Sequence, residues 1–167
     1  IITHEGREAA TDWARAVKDN FARAPQGGDT DQLRGIVSGE CDIALSNTYY
    51  YARSIRKDVR GLTGAENVGW VFPNQDDRGA HVNLSGGGIA AHAPNYDNAV
   101  AFVEYLTSPQ AQQYFSGGND EYPVVTGTPV SASVEALGAF KADDVNLSAV
   151  AKNIPLAQAI FNQVGWK

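Results

Sequence analysis

Residues 41–57 read as a strand, a tight turn and a helix in direct succession, and no other stretch so narrows the folds open to this chain. Cys41 to Ser46 (CDIALS) is a short run suited to a buried strand, Asn47 and Thr48 form the turn, and Tyr49 to Lys57 reads as a helix with Asn47 placed to cap it. A strand feeding straight into a helix is a building unit of α/β domains. In open α/β sheets, ligands bind at the carboxyl ends of the strands. Three consecutive tyrosines, Tyr49, Tyr50 and Tyr51, stand at that end here.

The rest of the chain alternates in the same way. Ala9, Ala10, Trp13, Val17 and Phe21 recur at helical spacing and predict an amphipathic helix over residues 2–21, broken by Pro25, Gly27 and Gly28. Asp29 and Gln32 have the spacing of a capping box, which predicts a helix over residues 30–38 with Leu33, Ile36 and Val37 on its apolar face. Residues 68–72 and 81–84 read as strands, and residues 85–88 as a flexible Ser-Gly-Gly-Gly stretch. Helices are expected over residues 98–106, from Ser108-Pro109 onward, and from near Pro155 to Gly165, with a turn-rich extended segment over 119–130. The expected class is therefore α/β.

Composition removes several functions. Hydrophobic residues make up 43%, enough for a buried core. A net charge of −6 argues against nucleic acid and against a polybasic membrane-surface role, both of which need clustered Lys and Arg. No apolar run approaches the roughly 20 residues of a membrane span. No signal peptide is visible, so the chain is expected to begin at a processed terminus or within a longer protein. The single cysteine, Cys41, excludes a multi-cysteine metal site within these residues.

The tyrosines carry the chemistry. Neighbours on a strand point to opposite faces, but at a helix start they are only about 100° apart, so two phenols can converge. A phenolate is a hard anionic oxygen donor of the kind a hard trivalent cation prefers. Coordination would deprotonate a group whose ordinary pKa is about 10. His4, His81 and His92 show no metal-ligand spacing, and Asp76-Asp77 reads as a solvated turn. Leu84 to Gly88 looks like an ATPase signature loop, but no phosphate-binding G-x-x-x-x-G-K-[ST] accompanies it. Ser85 lacks the surroundings of a hydrolase nucleophile, and no nucleophile–base pair can be named, so a binding protein is expected rather than an enzyme.

Several segments together resemble a known family. Gly28-Asp29-Thr30-Asp31-Gln32, Gly39 to Ala44 and Asn47-Thr48-Tyr49-Tyr50 occur in the order and spacing of the bacterial periplasmic ferric-iron-binding proteins of ABC importers. The likeness continues through residues 79–86, 92–95, 108–112 and 121–124, and the ending Gln163 to Lys167 resembles the family's C-terminus.

The resemblance implies a type II periplasmic-binding-protein fold, two-lobed and about twice this length, with iron in the cleft. It implies Tyr49 and Tyr50 as Fe³⁺ ligands and Asn47 beside the metal's anion or water shell; Tyr51 is not carried over. A synergistic anion (carbonate, phosphate or citrate) and an inner-membrane ABC permease are the implied partners. The remaining ligands, a further Tyr and a His or Glu, would come from an N-terminal part upstream of Ile1, as would a disulfide partner for Cys41. By the same analogy residues 1–82 and 131–167 belong to the C-terminal lobe, and residues 83–130 to the N-terminal lobe with apolar faces such as Phe102 and Leu106 left uncovered. Within the same fold, another small solute (thiamine, a polyamine or an oxyanion) is the alternative cargo.

Overall fold

The computed structural model describes residues 1–58 and 61–166; Lys167, the last residue of the expected terminal motif, lies outside them. The chain runs through α1 (Ile2–Asp19), α2 (Asp29–Val37), α3 (Thr48–Ser54), a 3₁₀ turn (Ala65–Asn67), α4 (Tyr96–Leu106), α5 (Pro109–Asn119), α6 (Ala132–Glu135), α7 (Leu147–Lys152) and α8 (Ile154–Val164). Sequence reading had not separated the 3₁₀ turn, α6 and α7, which are too short to show a helical period.

Local chemistry explains the helix ends. The Ser108 hydroxyl accepts from the Ala111 N–H at 3.2 Å, and Pro109 opens the first turn of α5. Gly165, at φ 73, closes α8 in the left-handed conformation that a glycine takes without cost. α1 is kinked at Gly6, where φ is 84. At α2 the expected cap is corrected: Asp31, not Gln32, reaches back, its Oδ2 accepting from the Gly28 N–H at 2.9 Å. That bond, with the Arg34 guanidinium, holds the Asp31 carboxyl below the usual carboxylate range.

The strand expectations also need correction. Residues 41–46, 68–72 and 81–84 join no ladder among the described residues; the one bridge there is parallel, between Ala80 and Ala142. Ile43, Leu45 and Val71 are 85%, 68% and 82% exposed. Apolar runs of this kind become strands only beside a partner that takes up their backbone hydrogen bonds. No such partner lies alongside them among the described residues.

Two packed regions organise the molecule. In one, α1 lies on α8: Ala10, Ala14 and Ile160 are buried together, with Leu156, Phe161, Val164 and Trp166 against them. Trp166 stacks 6.2 Å from Trp13 and meets Phe21 edge-on at 4.8 Å. In the other, α3 packs between α2 and α6. Ser131 and Ser133 both donate to Asp120, joining α6 and its N-cap to the end of α5, and Ser116 Oγ donates to the Pro129 carbonyl. α4 buries no residue, and Phe102 on it is 59% exposed.

Candidate metal centre

Tyr49 and Tyr50 occupy the first turn of α3, both half-buried, with ring centroids 4.4 Å apart and planes tilted by 38°. The sequence brings them together because the turn at Asn47, with φ −71 and ψ 146, converts extended backbone into helix one residue before them. Tyr51, next along the helix, faces the protein. Its hydroxyl donates to the Val68 carbonyl at 2.6 Å, and its ring stacks on Trp70 at 5.0 Å.

Asn47 does not cap α3 with its side chain. Its backbone N–H and its side-chain amide both donate to Asp29 Oδ1, at 2.7 and 3.1 Å. Asp29 is thus not a cap of its own helix but the acceptor that holds the tyrosine turn. This side-chain contact joins residues 18 positions apart.

Arg53 on α3 and Arg56, two residues past its end, fasten a second segment to the site. Arg53 donates to the Asn119 carbonyl at 3.4 Å, and its guanidinium lies 5.9 Å from the centre of the Tyr50 ring. Arg56 donates to both carboxylate oxygens of Asp120, at 3.1 and 3.2 Å. Asp120 is fully buried and also accepts from Ser131 and Ser133. The next residue, Glu121, lies on the same turn, its Oε1 accepting from Asn119 Nδ2 at 3.4 Å.

The Tyr49 hydroxyl is pushed up to about 12 from 10.0, first by burial and then by its hydrogen bond with Tyr50, with the negative charges of Tyr50, Asp29 and Glu121 adding to the effect. Those oxygens disfavour a further anion at Tyr49. The two phenols offer hard oxygen donors of the kind a highly charged cation prefers.

The other sequence candidates lie apart. His81 and His92 are exposed, and His4 pairs with Asp143 at 2.8 Å. Cys41 is a free, half-buried thiol. A cavity of about 360 Å³ between α1 and α8, lined by Ala10, Trp13, Ile160 and Phe161 among others, includes none of the three tyrosines. Sequence reading missed Arg53, Arg56 and Glu121. Arg53 had a local signal, lying three residues after Tyr50 on the same helix face. Glu121 had none.

A family model described as bacterial extracellular solute-binding protein matches residues 3–142. Iron uptake protein A1 from Synechocystis is 44% identical over 168 residues, which cover 100% of this chain and 47% of that protein. The solved structure of Trichodesmium IdiA (FutA) in complex with iron and citrate ligands is 44% identical, with a TM-score of 0.90 over 99% of this chain and 53% of that one. The ferric binding protein from Campylobacter jejuni is 36% identical with a TM-score of 0.94, over 100% of this chain and 53% of that one. The chain thus spans about half the length of the relatives it matches.

Proposed function

The chain belongs to the bacterial extracellular solute-binding proteins and has about half of a type II periplasmic-binding-protein fold, and from that premise we propose that it captures ferric iron through Tyr49 and Tyr50. The observation that carries the reading is the convergence of these two phenols, their ring centroids 4.4 Å apart, at the turn that opens α3. Ferric iron is the cargo. Its charge favours phenolate over phenol, so binding releases the Tyr49 and Tyr50 protons to solvent. Two phenolates fill only part of the roughly octahedral shell of oxygen donors around such an ion. The rest comes from outside these residues, from water or from a small anion such as citrate, carbonate or phosphate. Asn47 shapes the turn and lies beside that outer shell. The loaded protein, in the periplasm, hands iron to an ABC permease of the inner membrane. This is capture and delivery, and it requires no bond-making chemistry from the chain.

Titration of the full-length protein with ferric citrate tests the reading. A purple-red absorbance from phenolate-to-iron charge transfer is expected. It disappears when Tyr49 and Tyr50 are both replaced by phenylalanine. A full-length protein that stays colourless overturns the proposal. The residues present here, lacking the remaining ligands, bind iron more weakly than the full-length protein does.

A further inference from the structure

Residues 79–140 contain no lysine and no arginine, although the chain has 13 of them. The same stretch carries Asp97, Glu104, Asp120, Glu121 and Glu135, so most of the net charge of −6 arises within it. Asp120 is spent on Arg56. Asp97 and Glu104, both on α4, form no ion pair among the described residues. We propose that this acidic side of α4 is the surface through which the protein meets its permease, and that the permease presents arginine or lysine side chains to it. The inference rests on the delivery reading above and adds a docking surface to it.

Helical phase gives α4 two sides. Ala99, Val103 and Leu106 are half-buried on the apolar side. Asp97 and Glu104, two turns apart, lie on the opposite side with Ala101 between them, and all three are exposed. Tyr96 and Tyr105 flank the two acids, one on each side, and both are exposed as well. The acidic side is therefore distinct from the apolar one that the fold already covers in part.

Carboxylates and tyrosine rings attract the same groups. A carboxylate takes a guanidinium through paired hydrogen bonds, and an aromatic face takes a cation through its quadrupole. A surface that offers both, with no base of its own over 62 residues, complements a basic protein surface. The same charge repels nucleic-acid phosphates and anionic lipid headgroups. A small cation binds in a concave site, whereas one side of an exposed helix is convex. A protein with cationic side chains is the partner that fits.

The test uses the full-length protein and the permease held in nanodiscs of neutral lipid, with their association measured directly. Ala101→Arg places a cation between the two acids. It is expected to weaken association about tenfold, with the charge-transfer band intact and the unfolding midpoint not lowered. Asp97→Asn with Glu104→Gln should weaken association about three- to tenfold at low salt. That difference should fade by roughly 0.5 M salt. Glu8→Gln with Asp76→Asn removes the same charge from exposed positions elsewhere and should change association little. Equal losses in the two neutralised pairs reduce the effect to net charge and overturn the surface. A lowered midpoint in Ala101→Arg shows that the protein itself covers this side of α4, and also overturns it. Unaltered association in Ala101→Arg does the same. A wild-type protein that develops the band but does not associate overturns the docking and leaves the iron reading standing. One that associates but develops no band overturns the iron reading and leaves the surface.

Discussion

Asp29 accepts two hydrogen bonds from Asn47 on one carboxylate oxygen, and so ties the start of α2 to the turn that opens α3. The contact links two helix starts that sequence analysis treated separately. Hydrogen bonds to a charged acceptor contribute about 1.5–3 kcal/mol. Replacing Asp29 with Ala leaves the Asn47 N–H without its partner, so urea denaturation should show a loss of about 2 kcal/mol. Asn47→Ala removes only the weaker, side-chain bond and keeps the backbone one. It should cost the fold less, while weakening iron binding more than it weakens folding. Equal loss of both would reduce Asn47 to a structural residue.

Tyr49→Phe and Tyr50→Phe each remove one oxygen and leave the ring in place. Unfolding free energy is expected to stay within about 1 kcal/mol of wild type. Ferric binding by the full-length protein, followed by charge-transfer absorbance, should fall sharply in each. Tyr51→Phe behaves oppositely. It loses the bond to the Val68 carbonyl, so stability drops while the band persists.

Alkali should unfold the protein by a route that acid does not. Tyr49 is raised to about 12 in the fold against 10.0 for a free phenol, and burial raises Tyr51 and Tyr122 as well. Below pH 10 these groups are neutral in folded and unfolded chain alike, and their contribution is fully present. As pH rises through the folded value, the unfolded chain ionises first and stability falls. Denaturation midpoints measured from pH 9 upward should therefore decline at about pH 10–12. The decline should be shallower in Tyr49→Phe. An identical profile in that variant would show that Tyr49 is not among the groups responsible.

Asp120→Ala strands the Arg56 guanidinium, which is about a fifth exposed, opposite a buried gap. Breaking one partner of a buried, hydrogen-bonded ion pair costs about 3–5 kcal/mol. Because Arg56 keeps Asp58 as a second partner, about 3 kcal/mol is the expected loss on thermal or urea unfolding. Asp120→Asn should recover part of it, since the amide oxygen still accepts from Ser131 and Ser133.

Helices with a long apolar period were legible in the sequence, and so was the tyrosine turn, because both depend on residues within a few positions of one another. α1, α4, α5 and α8 lie close to their expected bounds. The three expected strands are absent from the described residues because a strand is a property of a pair. CDIALS specifies an apolar edge but cannot specify its neighbour. The site divides in the same way. Tyr49, Tyr50 and Asn47 share one local motif. Asp29 serves the tyrosine turn rather than its own helix, and the turn at Asn119 and Asp120 is joined to the tyrosine segment only through Arg53 and Arg56, which no local pattern could reveal.

Trp70 stacks on Tyr51, the residue after Tyr50, whereas Trp13 and Trp166 share the cluster between α1 and α8. The three indoles of the chain thus divide its fluorescence into two addresses. Emission from Trp70 reports on the surroundings of the phenols, and emission from the other two reports on the closing of the C-terminal helix. A paramagnetic or strongly absorbing ion held at Tyr49 and Tyr50 would dim the first and spare the second. Occupancy and folding could then be followed separately in one unlabelled sample, with Trp70→Phe supplying the blank.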